Sequence, residues 1–183
     1  MTAASPWITR WSALVPAGPV LDVACGGGRH TRWFLARGHD VVAVDRDLSG
    51  VADLSRNHRL EAIETDLEDG RRAGTAGRRF AAVVVTNYLF RPLLGVLVDA
   101  VAPGGVLLYE TFAHGNDRFG RPTNPDFLLA PGELLHAVHG RLRVVAYEDV
   151  VTDDPRPAAV QRIAAVREPA AVTALVTDPP PPP

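Results

Sequence analysis

The sequence predicts an α/β fold: a mostly parallel sheet, wound on both faces by helices and closed by an antiparallel hairpin. Three observations predict it. Short apolar strand-like segments alternate with helical stretches over the first two thirds of the chain, the pattern of βαβ units. Several of those segments, such as Ala81-Ala82-Val83-Val84-Val85, are apolar at every position, as strands buried on both faces must be. Two consecutive strand-like segments, Leu142–Val150 and Ala158–Arg167, end the ordered pattern with no helix between them.

In chain order, Ser5 and Pro6 read as cap and first-turn proline of a helix to Leu14 carrying Trp7, Ile8, Trp11 and Leu14 on one side. Pro16 to Pro19 break it. Val20–Ala24 is a strand, then come Gly26, Gly27 and Gly28, and a helix spans Arg29–Arg37. Strand Val41–Asp45, helix Leu48–Asn57, strand Leu60–Glu64 and strand Phe80–Thr86 follow. Helix Leu93–Ala102 is stopped by Pro103-Gly104-Gly105 before strand Val106–Thr111. His114–Pro131 reads as a long loop, and Glu133–Val138 as a short helix. Residues 1–170 form one domain; 171–183, ending in five prolines, read as an extended tail.

Composition limits the function. The chain has 183 residues, 46% hydrophobic and 22% charged, with net charge −2. A balanced charge gives no case for nucleic acid as a partner. All 19 basic residues are arginine, a compositional bias that suggests a GC-rich, bacterial genome. Cys25 is the single cysteine, so neither a disulfide within the chain nor a cysteine metal cluster can form, and no metal is expected. Without a signal-like start or a membrane-length apolar run, a cytoplasmic protein is expected, monomer or homodimer.

The strand–glycine-turn–helix at Val20–Arg37 presents backbone N–H groups to a ligand. Asp45, at the end of the next strand, stands where a carboxylate accepts both ribose hydroxyls of an adenosine. A dinucleotide fingerprint needs a third glycine where this chain has Thr31. Asp22 just before the turn repels a pyrophosphate and suits an ammonium group, as on the methionyl part of S-adenosylmethionine.

The stretch Val20-Leu-Asp-Val-Ala-Cys-Gly-Gly-Gly-Arg-His-Thr resembles motif I of the class I methyltransferases, with Ala24 at its first glycine. The resemblance continues through Asp45, Glu64-Thr65-Asp66-Leu67, Val84-Val85-Thr86-Asn87-Tyr88 and Pro103-Gly104-Gly105, covering residues 15 to 167. It implies a Rossmann-like seven-stranded sheet with S-adenosylmethionine as cofactor and S-adenosylhomocysteine as product. Asp22, Gly26 and Gly28 would cradle the amino-acid end, and Asp45 the ribose. Asp66 would bond the adenine amino group, with Leu67 beside the ring. Ala24, His30, Arg46 and Asn87 complete the expected cofactor set.

Asn87-Tyr88-Leu89-Phe90 lacks the paired prolines of DNA and protein amide methyltransferases, so a small-molecule acceptor is expected. Tyr88, Glu110 and His114 are the candidate catalytic residues. Tyr88 either walls the acceptor pocket or packs, and Glu110 either serves the acceptor or pairs with an arginine. The 114–131 loop resembles a block in small bacterial methyltransferases near the tellurite-resistance type and is expected to cover the acceptor. His114, Asn116, Arg118 and Arg121 are its polar candidates. Cys25 reads as a packing residue, and Arg71, Arg72, Arg78 and Arg79 as a basic surface patch. An NAD(P)-linked oxidoreductase and a non-catalytic methyltransferase-like partner protein are the alternatives.

Overall fold

A computed structural model describes residues 3–69, 77–153 and 156–169. The expected tail at 171–183, and Arg71 and Arg72 of the basic patch, lie outside them. Helix α1 (Pro6–Trp11) precedes strand β1 (Val20–Val23), helix α2 (Arg29–Leu35) and strands β2 (Val41–Asp45), β3 (Leu60–Glu64) and β4 (Phe80–Thr86). Helix α3 (Arg91–Asp99), strand β5 (Val101–Phe112), helix α4 (Glu133–Val138) and strands β6 (Arg143–Thr152) and β7 (Ala158–Val166) complete the chain.

The seven strands form one sheet in the order β3-β2-β1-β4-β5-β7-β6. β1 to β5 are parallel, and β7 is antiparallel to both β5 and β6. This is the expected architecture, hairpin included. Period-two alternation divides the core. Val20, Ala82, Val84, Val106 and Leu108 face Trp7, Ile8 and Phe34 of α1 and α2. Leu21, Val83, Val85, Leu107 and Tyr109 face Leu93 and Leu97 of α3 and Leu134 and Val138 of α4.

Ser5 caps α1 as expected, its hydroxyl accepting from Trp7 N–H at 3.2 Å. The helix expected over Leu48–Asn57 is instead a 3₁₀ run, Ser49–Leu54. Asp47 Oδ1 accepts from Ser49 N at 2.8 Å and draws the chain into a tight turn against the glycine loop, leaving no room for a full α-helix. Pro103-Gly104-Gly105 does not interrupt the sheet. It forms a bulge inside β5, whose pairing with β4 jumps from Phe80↔Val101 to Ala82↔Val106. Across the bulge Gly104 N donates to Arg167 O, and Arg167 N to Gly105 O.

The loop after β5 is tied down along its length. It contains two 3₁₀ turns, Asn116–Arg118 and Pro125–Phe127, and a bridge between Ala113 and Leu129. Arg91 clamps its far end, donating to Asp126 O at 2.7 Å and Leu128 O at 2.9 Å while pairing with Glu133. Of the described members of the basic patch, Arg78 pairs with Glu61 at 2.8 Å, and Arg79 donates to the carbonyls of Asp99 and Val101.

Candidate active site

Because β1 to β5 run parallel, their carboxyl ends share one edge. Chain order reverses between β1 and β4, the crevice where open α/β sheets hold ligands. Three clefts open there. One of about 440 Å³ is lined by Ala24, Asp45, Arg46, Asp66, Leu67, Glu68, Tyr88 and Phe127. A second, about 940 Å³, runs along Ala24 to Gly27 and past Arg29, Thr86 and Asn87. A third, about 620 Å³, lies beyond Arg29 and Asn87 among Glu110, Phe112, Arg156, Val160 and Arg162. Ala3 and Ala4 wall both larger clefts.

Asp45 organises the first cleft. Its Oδ2 accepts from Gly26 N at 2.8 Å and its Oδ1 from Asp47 N at 3.1 Å, and each oxygen keeps a second lone pair for a ligand hydroxyl. Asp66 Oδ1 accepts from Glu68 N at 2.8 Å, fixing the turn that presents the carboxylate. Leu67 is buried. Ala24 and Asn87 hold left-handed backbone angles, φ 53° and 54°. That strain places Ala24 in a conformation natural to the glycine of motif I.

Asp22 and Gly28 lie behind the clefts, tied into the framework. Asp22 is 2% exposed and lines none of these clefts. Its Oδ2 accepts from Thr31 Oγ1 at 2.6 Å, and burial raises its carboxyl to about 6 despite that bond. Thr31, the residue that breaks the dinucleotide fingerprint, is thus the partner of the buried acid. Gly28, at φ 70°, caps α2 inside the protein, where a Cβ would meet Val51 Cγ1 at 2.4 Å.

His30 was expected to donate to a backbone group or the cofactor. Its Nε2 instead accepts from Ser5 N at 3.1 Å, its Nδ1 lies 3.4 Å from Thr86 Oγ1, and it lines none of the three clefts. Burial, then the charge of Arg29, lowers it to about 3, so the ring is neutral. An unfolded chain takes up a proton at this histidine as pH falls below its usual 6.5, whereas the native ring resists down to about 3. Stability from His30 is therefore complete above about 6.5 and lost toward pH 3. Asp22, held protonated up to about 6, works in the opposite sense between 3.8 and 6. His30→Gln keeps an acceptor for Ser5 and cannot charge. Thermal unfolding at pH 7 and pH 4.5 is expected to show a smaller acid loss in the variant than in the parent; an equal or larger loss contradicts this role.

The three candidate catalytic residues are not brought together. Tyr88 lines the Asp45 cleft. Its hydroxyl is buried without a hydrogen-bond partner among the described residues, and burial with the charges of Glu68, Asp66 and Asp45 pushes its pKa up. Glu110 does face the third cleft, but both its oxygens are engaged. Oε1 accepts from Ser5 Oγ at 2.8 Å, and Oε2 lies 2.6 Å from Arg162 Nε, an ion pair whose angle falls outside hydrogen-bond alignment. The arginine alternative holds for Glu110. His114 is exposed and lines none of the three clefts, because the chain turns away after Phe112 to bridge Ala113 with Leu129.

The loop polar residues serve the loop. Asn116 is buried and donates to Pro122 O at 3.0 Å, Arg118 Nε donates to Gly115 O at 3.2 Å, and Arg121 is exposed. Cys25 packs as expected; burial and the charges of Asp22 and Asp45 raise its thiol to about 12, so it is no nucleophile at neutral pH. Sequence reasoning missed Arg29, Thr86, Phe127, Arg156 and Arg162 as lining residues, and Ser5 as the residue that bonds both His30 and Glu110.

Residues 20–105 match the family described as "Methyltransferase domain". Over those residues the chain is similar to methyltransferase domains. The chain is 30% identical over 129 residues to the trans-aconitate 2-methyltransferase of Sinorhizobium fredii, a match covering 66% of this chain and 44% of that protein. The chain thus spans less than half the length of that curated relative. Among solved structures it resembles TehB from Haemophilus influenzae, with TM-score 0.70 and 18% identity over 92% of this chain and 64% of that one. It also resembles the Burkholderia thailandensis 1,6-didemethyltoxoflavin-N1-methyltransferase with its bound acceptor and S-adenosylhomocysteine. There the TM-score is 0.63 and identity 18%, over 88% and 76% of the two chains. Among the described residues, no helix is long and apolar enough to cross a membrane.

Proposed function

We propose that the chain transfers a methyl group from S-adenosylmethionine to a small-molecule acceptor. The observation that carries this reading is Asp45, which pins Gly26 of the glycine loop and keeps lone pairs at the mouth of a cleft floored by Leu67. The donor set fits the cofactor. Asp45 would take the ribose hydroxyls, Asp66 the adenine amino group, and Leu67 and Phe127 the two faces of the ring. The unpartnered Tyr88 hydroxyl is a donor for the same adenosine. Gly26 N–H is occupied by Asp45, so Gly27 and Asn87 remain for the methionyl end, with Ala24 and Arg46 as walls.

When bound, the cofactor supplies a methyl made electrophilic by positive sulfur. The protein's part is to hold donor and acceptor in line and to exclude water, and the third cleft, beyond Asn87, would take the acceptor. The names of the relatives, acting on trans-aconitate and on 1,6-didemethyltoxoflavin, support a small acceptor. Location in the bacterial cytoplasm, as monomer or homodimer, belongs to the same reading. Incubating the purified chain with a bacterial extract and methyl-labelled S-adenosylmethionine is expected to place label in the small-molecule fraction. Label confined to RNA or protein overturns the acceptor class, and no transfer at all favours a non-catalytic partner.

A further inference from the structure

The third cleft is lined by three arginines and one glutamate, with Phe112 and Val160 between them. Arg162 is already matched, its guanidinium lying 2.6 Å from Glu110 and 3.2 Å from Glu148. Arg29 and Arg156 are not. Arg29 donates to Thr86 Oγ1 at 3.4 Å, and neither it nor Arg156 has an ion-pair partner among the described residues. The carboxylate whose proton affinity Arg29 lowers is Asp22, which is buried behind the loop. The cleft therefore presents unmatched positive charge across about 620 Å³, ample space for a small ligand.

Resting on the methyltransferase reading, we infer that this cleft binds its acceptor as a small organic acid, with a carboxylate held by Arg156 and Arg29. Guanidinium groups grip planar carboxylates through paired N–H donors, and a partly apolar cavity strengthens that attraction over the same pair in water. Phosphate has the same charge chemistry, but Phe112 and Val160 call for carbon beside the anionic group. Arg156 is exposed and Arg29 half-buried, so a neutral acceptor would draw nothing from either charge.

Calorimetry of the full chain decides, with citrate as probe, in the presence and absence of S-adenosylhomocysteine, against triethyl citrate and inorganic phosphate. Citrate is expected to bind saturably, and ester and phosphate at least tenfold more weakly. Arg156→Ala should lose at least tenfold in citrate affinity and Arg156→Lys should recover part of it, with S-adenosylhomocysteine affinity and unfolding temperature unchanged in both. Ester or phosphate binding as tightly as citrate, or an unaltered Arg156→Ala, overturns the inference. Citrate binding as expected without any affinity for S-adenosylhomocysteine overturns the methyltransferase reading and leaves the acid site standing.

Discussion

Gly50→Ala is expected to lose cofactor binding and a large share of stability together. A Cβ at this position would lie 2.2 Å from Gly26 O and 2.7 Å from Gly27 Cα, separations no real Cβ adopts. Both neighbours are backbone, so relief requires moving the glycine loop away from Asp45, which holds it through Gly26 N–H. Overpacking costs about 1–3 kcal/mol where side chains can yield, and backbone cannot yield as cheaply, so the upper end applies. For a domain of this size that lowers the unfolding temperature by about 10 °C. Gly27→Ala is the control, because a Cβ there meets nothing within 4 Å. Differential scanning calorimetry is expected to show its unfolding temperature within about 2 °C of the parent. Equal unfolding temperatures for Gly50→Ala and the parent would mean that the loop does not rest on the 3₁₀ turn.

Asp45→Asn is expected to weaken S-adenosylhomocysteine binding by about two orders of magnitude while the chain still folds. The substitution keeps the shape and one acceptor oxygen but removes the charge. Hydrogen bonds to a charged group contribute about 1.5–3 kcal/mol each, and about 1.4 kcal/mol is a factor of ten in affinity. The variant weakens the hold on Gly26 and, on the proposed reading, the grip on the ribose. Asp45 is partly exposed at a strand end outside the packed core, so the unfolding temperature should fall by only a few degrees. An affinity within threefold of the parent would show that Asp45 serves the loop and not the ligand.

What was legible in the sequence follows from the range of the interactions concerned. Val20–Val23, Val41–Asp45 and Phe80–Thr86 announce themselves because a strand buried on both faces must be apolar along its length, and the turn residues between them are local. Asp45 and Leu67 could be placed for the same reason, since strand ends share one edge once the sheet is parallel. His30 could not: its partner Ser5 is 25 positions away, and only the fold turns Nε2 toward a backbone N–H instead of a ligand. Glu110 depends on register, because pairing of β5 with β7 sets Arg162 opposite it. Gly50 is silent in the sequence, as a glycine needed for close approach looks like any turn glycine. The loop after β5 was legible as distinctive, though not which of its residues reach a cleft. It brings Phe127 to the Asp45 cleft, while its polar side chains bond the loop's own carbonyls or stay exposed.

The central claim, that the Asp45 cleft and the glycine loop hold S-adenosylmethionine, is tested most directly by titrating the chain calorimetrically with S-adenosylhomocysteine and, separately, with NADH. The account predicts saturable binding of one S-adenosylhomocysteine per chain, lost in Gly50→Ala, weakened in Asp45→Asn and absent for NADH. Binding of NADH without S-adenosylhomocysteine would contradict it.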